Sequence, residues 1–134
     1  MGYTPEMSIK YRQDFMTAVK GHNKNIKSIV YGSVPHSNHL KLHLSALENL
    51  FSEISSLFPE GTNDGDTYAK NSIWEKPQKF QLSITKAQQA LATFKQVAEQ
   101  GDNKKTKAAL KQFGKDSCRD CHLYFKHTKK KSDR

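Results

Sequence analysis

The chain is poor in the residues that usually build protein interiors. Only 35% of its 134 residues are hydrophobic, and the mean hydropathy is −0.81. No apolar run approaches the roughly 20 residues that cross a bilayer as a helix, so the sequence predicts no membrane span. No stretch alternates apolar and polar residues as a half-buried strand does. At this length we expect one domain, residues 1–134, with a modest core.

Cysteine is also scarce, since only Cys118 and Cys121 are present. A structural zinc site needs four ligands, and no second cysteine pair exists to complete one. A redox Cys-x-x-Cys pair normally follows a strand of a βαβ unit, which this sequence does not contain. His122 follows directly, and Cys-x-x-Cys-His is the attachment signature of a c-type haem. On a helix the two thiols stand three residues apart on one side. We therefore predict one covalent haem c, with His122 binding its iron.

Acidic residues are few at the C-terminal end of the chain. Residues 1–101 carry 11 basic and 9 acidic side chains, whereas residues 102–134 carry 11 basic and 4 acidic ones. The lysines are scattered and match no nucleic-acid recognition motif, so we expect no nucleic-acid partner. Such a basic end favours docking to an acidic face of a redox partner protein over nucleic-acid binding, while most of the individual lysines are interpreted as a solvated, solubilising face.

Apolar residues recur at three- and four-residue steps in four stretches, which predicts four amphipathic helices at about 5–31, 38–58, 77–100 and 102–126. Residues 127–134 form a basic tail that we expect to be frayed. Four such helices joined by short or medium loops indicate an all-α, antiparallel up-down four-helix bundle. No nucleophile–base pair or paired carboxylates suggest an enzyme.

With these elements placed, the sequence resembles the class II c-type cytochromes, the cytochrome c′ family, over nearly its whole length. The motifs that carry the resemblance are Tyr11-Arg12-Gln13-x-x-Met16, Gly32, Leu57-Phe58-Pro59, Ile73-Trp74, Gly114, Cys118, Cys121, His122 and Phe125.

The resemblance implies a role for each site residue. Cys118 and Cys121 would hold the haem by thioethers, and His122 would be the proximal iron ligand. Arg12 would lie near the haem propionates. Lys126 stands where the family commonly has an arginine beside the proximal histidine, and its role is less defined. Because haem is attached outside the cytoplasm in bacteria, we expect a periplasmic protein and take the chain to be its mature form. Some family members pair through their first two helices, so a monomer and a homodimer both remain open.

Met16 decides between two functions, because the resemblance directs it at the distal face of the iron. A thioether ligand favours ferrous iron and keeps coordination constant between redox states, which suits electron transfer. We therefore favour a six-coordinate, low-spin electron-transfer protein with His122 and Met16 as iron ligands. The alternative is a five-coordinate, high-spin cytochrome c′ that binds NO or CO, with Met16 as an apolar plug.

The remaining histidines suggest no cofactor site by themselves. His22 lies on the apolar side of the first helix, where packing or a helix contact is the simpler interpretation. His39 and His43 are one turn apart and could share a transition metal ion, but no Asp, Glu or Cys is adjacent to complete the site.

Overall fold

The computed structural model describes residues 2–134 and begins with a long helix, α1 (Pro5–Val30). Thr4 caps it, because its Oγ1 accepts a hydrogen bond from the Met7 amide at 3.1 Å, and Pro5 occupies the first helical position. Gly32 follows the helix with a φ of 74°, a left-handed conformation that glycine adopts without steric cost. The buried side of α1 carries Ile9, Arg12, Ile26 and Val30.

The second helix is shorter than the 38–58 that the sequence predicts. A 3₁₀ turn (Ser37–His39) leads into α2 (Leu40–Phe51), and a second 3₁₀ turn covers Ile54–Leu57. Two serines explain the early end. Ser52 Oγ donates to the Asn49 carbonyl at 2.6 Å, and Ser56 Oγ donates to the Glu53 carbonyl at 2.7 Å. Such local bonds from serine to the backbone compete with continuation of a helix.

The second half of the chain contains α3 (Ser72–Glu75), α4 (Pro77–Glu99), α5 (Asn103–Phe113) and α6 (Asp120–Phe125). The sequence predicts one helix over 102–126, but a π-helical segment, Gly114–Arg119, separates α5 from α6. Within it Ser117 Oγ donates to the Phe113 carbonyl at 2.6 Å. Widened turns of this kind are frequent at functional sites, and this one includes Cys118.

The long helices form a closed ring, since α1 packs on α2, α2 on α4, α4 on α5, and α5 on α1. The interior holds three phenylalanine rings. Phe113 stacks on Phe94 at 5.5 Å and on Phe51 at 6.2 Å between ring centroids. Residues 2–134 contain no β-strand, only an isolated bridge between Ala69 and Lys126. The predicted all-α architecture is confirmed, and none of the described helices is long and apolar enough to cross a membrane.

A second apolar cluster lies at the other end of the bundle. It consists of the buried side chains Ile73, Phe80, Ile84 and Phe125. Phe80 meets Phe125 edge-on at 5.1 Å between ring centroids, which fixes α6 against α4. Cys121 packs against this cluster, so the cluster also positions the attachment motif.

The C-terminal tail is not frayed, contrary to the expectation from its composition. The His127 amide donates to the Tyr68 carbonyl, and Ser132 donates through both its amide and its hydroxyl to Asp66 Oδ1, at 3.0 and 2.8 Å. Arg134 Nη2 donates to the Thr67 carbonyl at 3.1 Å. The acidic and polar loop between α2 and α3 therefore provides the partners that a basic tail needs.

Candidate haem attachment site

The two cysteines lie at the junction of the π-helical segment and α6. Both are free thiols and both are partly exposed. Cys118 Sγ lies 3.5 Å from Ser117 Oγ. Burial raises the pKa of Cys121 to about 11, and the neighbouring Cys118 adds to the rise. Cys121 is therefore protonated at neutral pH, and the sequence contains no other cysteine that could compete with this pair.

His122 follows on α6 and is exposed at the surface. Its pKa is lowered, first because surrounding protein atoms partly desolvate the ring and second because the Lys126 ammonium repels a positive charge there. A neutral imidazole keeps the lone pair that an iron ligand must offer. Lys126 itself lies over the Tyr68 ring, with Nζ 4.9 Å from its centroid.

Arg12 is buried, with an exposed fraction of 4%, and binds the loop that follows α2. Nη1 donates to the Leu57 carbonyl at 3.2 Å and to Thr62 Oγ1 at 2.9 Å. Nη2 donates to the Thr62 carbonyl at 3.0 Å and to Thr67 Oγ1 at 2.8 Å. The guanidinium carbon also lies 4.8 Å from the centre of the Phe58 ring. All four hydrogen bonds use the two terminal nitrogens, so Nε–H stays available for another acceptor.

The charge of Arg12 has no carboxylate partner among residues 2–134, because every hydrogen-bond acceptor around it is uncharged. Burial lowers its pKa to about 10, so it remains charged at neutral pH. Buried charges are normally paired. An anionic group on a ligand would supply that pair, and the propionates of a haem meet this requirement.

The sequence singles out Arg12 but not the residues that hold it. Thr62 and Thr67 are both buried, with exposed fractions of 2%, although the composition of their loop predicts a solvated segment. The two threonine hydroxyls lie within hydrogen-bonding reach of Arg12 because α1 passes this loop at Arg12 and Gln13. The side-chain amide of Gln13 donates to the Asp66 carbonyl at 3.1 Å. The sequence signal that could have identified these two residues is the presence of two threonines within a stretch rich in glycine and aspartate.

Met16 lies one turn after Arg12 on α1 and is half-buried. Within residues 2–134, no hydrogen bond, ion pair or ring contact joins α1 to Cys118, Cys121 or His122. The structure instead connects the two parts of the candidate site through the loop. The Lys70 amide donates to the Phe125 carbonyl at 3.0 Å, on the same loop that holds Arg12.

A helical bundle that ends in two free thiols and an adjacent neutral imidazole, with an unpaired buried cation on its first helix, defines a class II c-type cytochrome. The model of the family described as Cytochrome C′ matches residues 7–126. This chain therefore belongs to the cytochrome c′ family, as the sequence motifs predict, and the family's cofactor is covalent haem c. Its residues fit that group, since the thiols, the imidazole and the Arg12 cation provide the donors that a haem needs.

Individual relatives agree with this assignment. Cytochrome c′ of Pararhodospirillum photometricum is 30% identical over 124 residues, which are 92% of this chain and 98% of that protein. Two solved structures of cytochrome c prime from Alcaligenes xylosoxidans are also similar. A ferrous arginine-to-lysine variant with bound NO has a TM-score of 0.82 at 28% identity, covering 96% of this chain and 100% of that one. A leucine-to-glycine variant with bound carbon monoxide has a TM-score of 0.81 at 26% identity and the same coverage.

These relatives correct one prediction. The sequence favours a six-coordinate electron-transfer protein with Met16 as a ligand, and this prediction is wrong. The similar proteins carry the name cytochrome c′, and several of the similar solved structures contain NO or CO. The error has a chemical origin, because a methionine on the first helix is compatible with ligation and with simple space filling alike.

Proposed function

We propose that this protein is a periplasmic, single-domain haem c protein that binds NO or CO at five-coordinate, high-spin iron. The observation that carries the proposal is the sequence Cys118, Cys121, His122 at the junction of the π-helical segment and α6, in a bundle whose relatives are solved with these gases bound. The chain's own residues attach the cofactor, orient it and leave one side of its iron without a protein ligand.

The attachment residues have distinct roles. Cys118 and Cys121 form the two thioether links, and their position at the start of α6 holds the cofactor against the cluster around Phe80 and Phe125. His122 is the proximal ligand, kept neutral by its surroundings and by Lys126. When bound, the haem supplies the iron that takes up a diatomic gas.

Arg12 orients the cofactor from α1. Its charge is buried without a carboxylate, and its guanidinium is fixed by four hydrogen bonds to the loop. A propionate would therefore meet a cation that is already in place and needs little reorganisation. This role predicts that Arg12 variants change how the haem sits, in addition to changing stability.

Met16 acts as the apolar side chain over the distal face. Methionine is unbranched and adaptable, so it fills a space of irregular shape without offering a charge or a strong hydrogen bond. It would exclude water from the iron and slow the entry of larger ligands, whereas a diatomic gas can still displace it. In a six-coordinate electron-transfer protein, the same side chain would have to bind the iron through its sulfur.

The experiment compares Met16→Leu with the unchanged holoprotein. Leucine keeps the volume and the apolar character but cannot ligate iron. We expect a high-spin ferric absorption and electron paramagnetic resonance spectrum in both proteins, and ready CO binding to both in the ferrous state. Met16→Ala should bind CO faster by about tenfold, which corresponds to a barrier lower by about 1.4 kcal/mol. Met7→Ala is the matched control, because Met7 lies on the same helix and is 58% exposed.

A low-spin ferric spectrum in the unchanged protein that becomes high-spin in Met16→Leu would contradict the proposal. It would demonstrate that the Met16 sulfur occupies the sixth position.

The basic end of the chain offers a docking surface for an acidic protein that reduces the iron, and the rate of that reduction should fall as salt rises.

A further inference from the structure

Two histidines from different helices meet on the side of the bundle formed by α1 and α2. His22 Nδ1 lies 2.8 Å from His43 Nδ1, and the ring centroids are 5.1 Å apart with 53° between the ring planes. Both side chains are half-buried. Neither residue belongs to the haem attachment motif, and neither is used by the proposed gas-binding function.

The separation of the two nitrogens is that of a hydrogen bond, and it is also compatible with one coordination geometry. Two nitrogens that are each about 2.0 Å from one metal ion lie about 2.8 Å apart when they meet at a right angle, and about 3.3 Å apart at the tetrahedral angle. The observed 2.8 Å matches the right angle. That angle is typical of the square-planar or tetragonal nitrogen sites of Cu²⁺ and Ni²⁺, whereas zinc prefers tetrahedral sites.

The protonation of the pair is compatible with metal binding. In the neutral pair one Nδ1–H donates to the other Nδ1, and a shift of that proton to Nε2 leaves a lone pair on both Nδ1 atoms. The pKa of His43 is lowered, first by burial and then by the nearby His22 and His39. Its ring therefore resists protonation and keeps its lone pair. No net proton release is needed when both rings begin neutral.

Among residues 2–134 no three potential ligands are grouped closely enough to hold a metal ion, so the site rests on two imidazoles, with His39 next to them along the chain. His39 lies one turn before His43 on the same side of the chain, and its charge is felt by the His43 ring. His39 also stacks on His36, with ring centroids 4.7 Å apart and planes only 4° from parallel. His39 is exposed, so its ring would have to leave this stack to reach an ion bound by His22 and His43.

We propose that His22 and His43 form a binding site for Cu²⁺ that clamps α1 to α2. Copper is the favoured ion because its affinity for imidazole nitrogen exceeds that of the other divalent first-row metals. The remaining positions are open to water. The exposed lysines nearby on α1, Lys20 and Lys24, carry charges that solvent screens.

The test is a calorimetric titration of the ferric holoprotein with Cu²⁺ near neutral pH in a buffer that does not bind metal. We expect one Cu²⁺ per chain. Its electron paramagnetic resonance signal should be axial with nitrogen hyperfine structure, and it is well separated from that of high-spin ferric haem. His22→Asn and His43→Asn should each weaken binding by at least about tenfold, because even the loss of a residue that only supports a ligand costs this much.

The controls separate this site from other copper ligands. His127→Asn removes an imidazole from the tail and should leave the affinity unchanged, while His39→Asn should weaken binding less than the two primary variants. Helix content measured by circular dichroism establishes that each variant folds. The absence of stoichiometric Cu²⁺ binding, equal affinity in all variants, or tighter binding of Zn²⁺ than of Cu²⁺ would each overturn the proposal. The pair would then be a hydrogen bond between helices and nothing more.

Discussion

Replacement of Arg12 by lysine keeps the charge but removes the guanidinium that ties α1 to the loop. The arginine makes four hydrogen bonds to Leu57, Thr62 and Thr67, at 2.8 to 3.2 Å. It does so with two parallel pairs of N–H groups, which an ammonium group on a shorter stem cannot reproduce. The substitution therefore tests whether the hydrogen-bonding geometry of the guanidinium group, and not the positive charge alone, holds α1 to the loop.

The expected loss follows from the contacts and from burial. A hydrogen bond from a charged donor contributes about 1.5–3 kcal/mol, and we expect the ammonium to keep about half of the four. Burying a positive charge also costs free energy, and a lysine at this position would carry the same cost. Because the pKa of Arg12 falls to about 10 in the folded protein, burying the charge costs up to about 3 kcal/mol. This cost is present in full below the lowered pKa and diminishes only as pH rises through it. The loss of about two of the four hydrogen bonds should therefore lower the free energy of unfolding by about 3–6 kcal/mol in Arg12→Lys.

The assay is denaturant unfolding of the holoprotein, followed by helix signal and by haem absorption. Arg119→Lys provides the matched control, because Arg119 is exposed and surface substitutions usually change stability by less than about 0.5 kcal/mol. Thr67→Val removes one acceptor, and a double-mutant cycle with Arg12→Lys should give a coupling of roughly 1 kcal/mol.

A stability of Arg12→Lys within experimental error of the unchanged protein would refute the reasoning. It would mean that the positive charge alone is sufficient and that the loop is held by other contacts. A coupling of zero with Thr67→Val would lead to the same conclusion for the bond between Arg12 and Thr67.

Three further predictions concern other parts of the molecule. Asn23→Leu should leave the free energy of unfolding unchanged or raise it by about 1 kcal/mol, because Asn23 Oδ1 is buried without a hydrogen-bond partner among residues 2–134; a clear loss in denaturant unfolding would argue against this. Phe113→Ala should cost about 3–5 kcal/mol in the same assay, since its ring is 2% exposed between two other aromatic rings. Ser132→Ala should raise the pKa of Asp66 only partly in a nuclear magnetic resonance titration, because the backbone amide of residue 132, the larger cause of the lowered value, is retained and only the hydroxyl bond, the second cause, is lost. The tail's contribution through Asp66 is present above the normal carboxyl pKa and is lost as pH falls through the lowered one.

Much of the fold is predictable because apolar periodicity reports directly on helix faces. The positions of α1 and α4 follow from it, together with Pro5 and Pro77 at their first turns. The early end of α2 and the π-helical segment before α6 are not visible in that pattern. Both depend on serine hydroxyls that bond to nearby backbone carbonyls, and the choice between that bond and solvent is made by the local packing.

The candidate site divides in the same way. Cys118, Cys121 and His122 are identified by spacing alone, because thioether attachment needs residues that are close in sequence. Partners that come from separate helices carry no such spacing. His43 pairs with His22 across 21 positions, whereas the sequence suggests His39 as its partner. The tail likewise finds Asp66 only because the fold brings the loop to it.

Met16 is the sharpest case of this limit. A thioether sulfur can bind iron or can simply occupy space, so the identity of the residue does not determine its role. The role depends on how closely α1 approaches the last helix, because a coordination bond requires the ligand atom to lie within about 0.2 Å of its bonding distance. In this structure α1 is positioned by its packing on α2 and α5 and by the bonds of Arg12 to the loop. The loop and helix residues that supply those contacts lie outside the haem attachment motif, and for this reason the coordination number of the iron is a property of the tertiary structure.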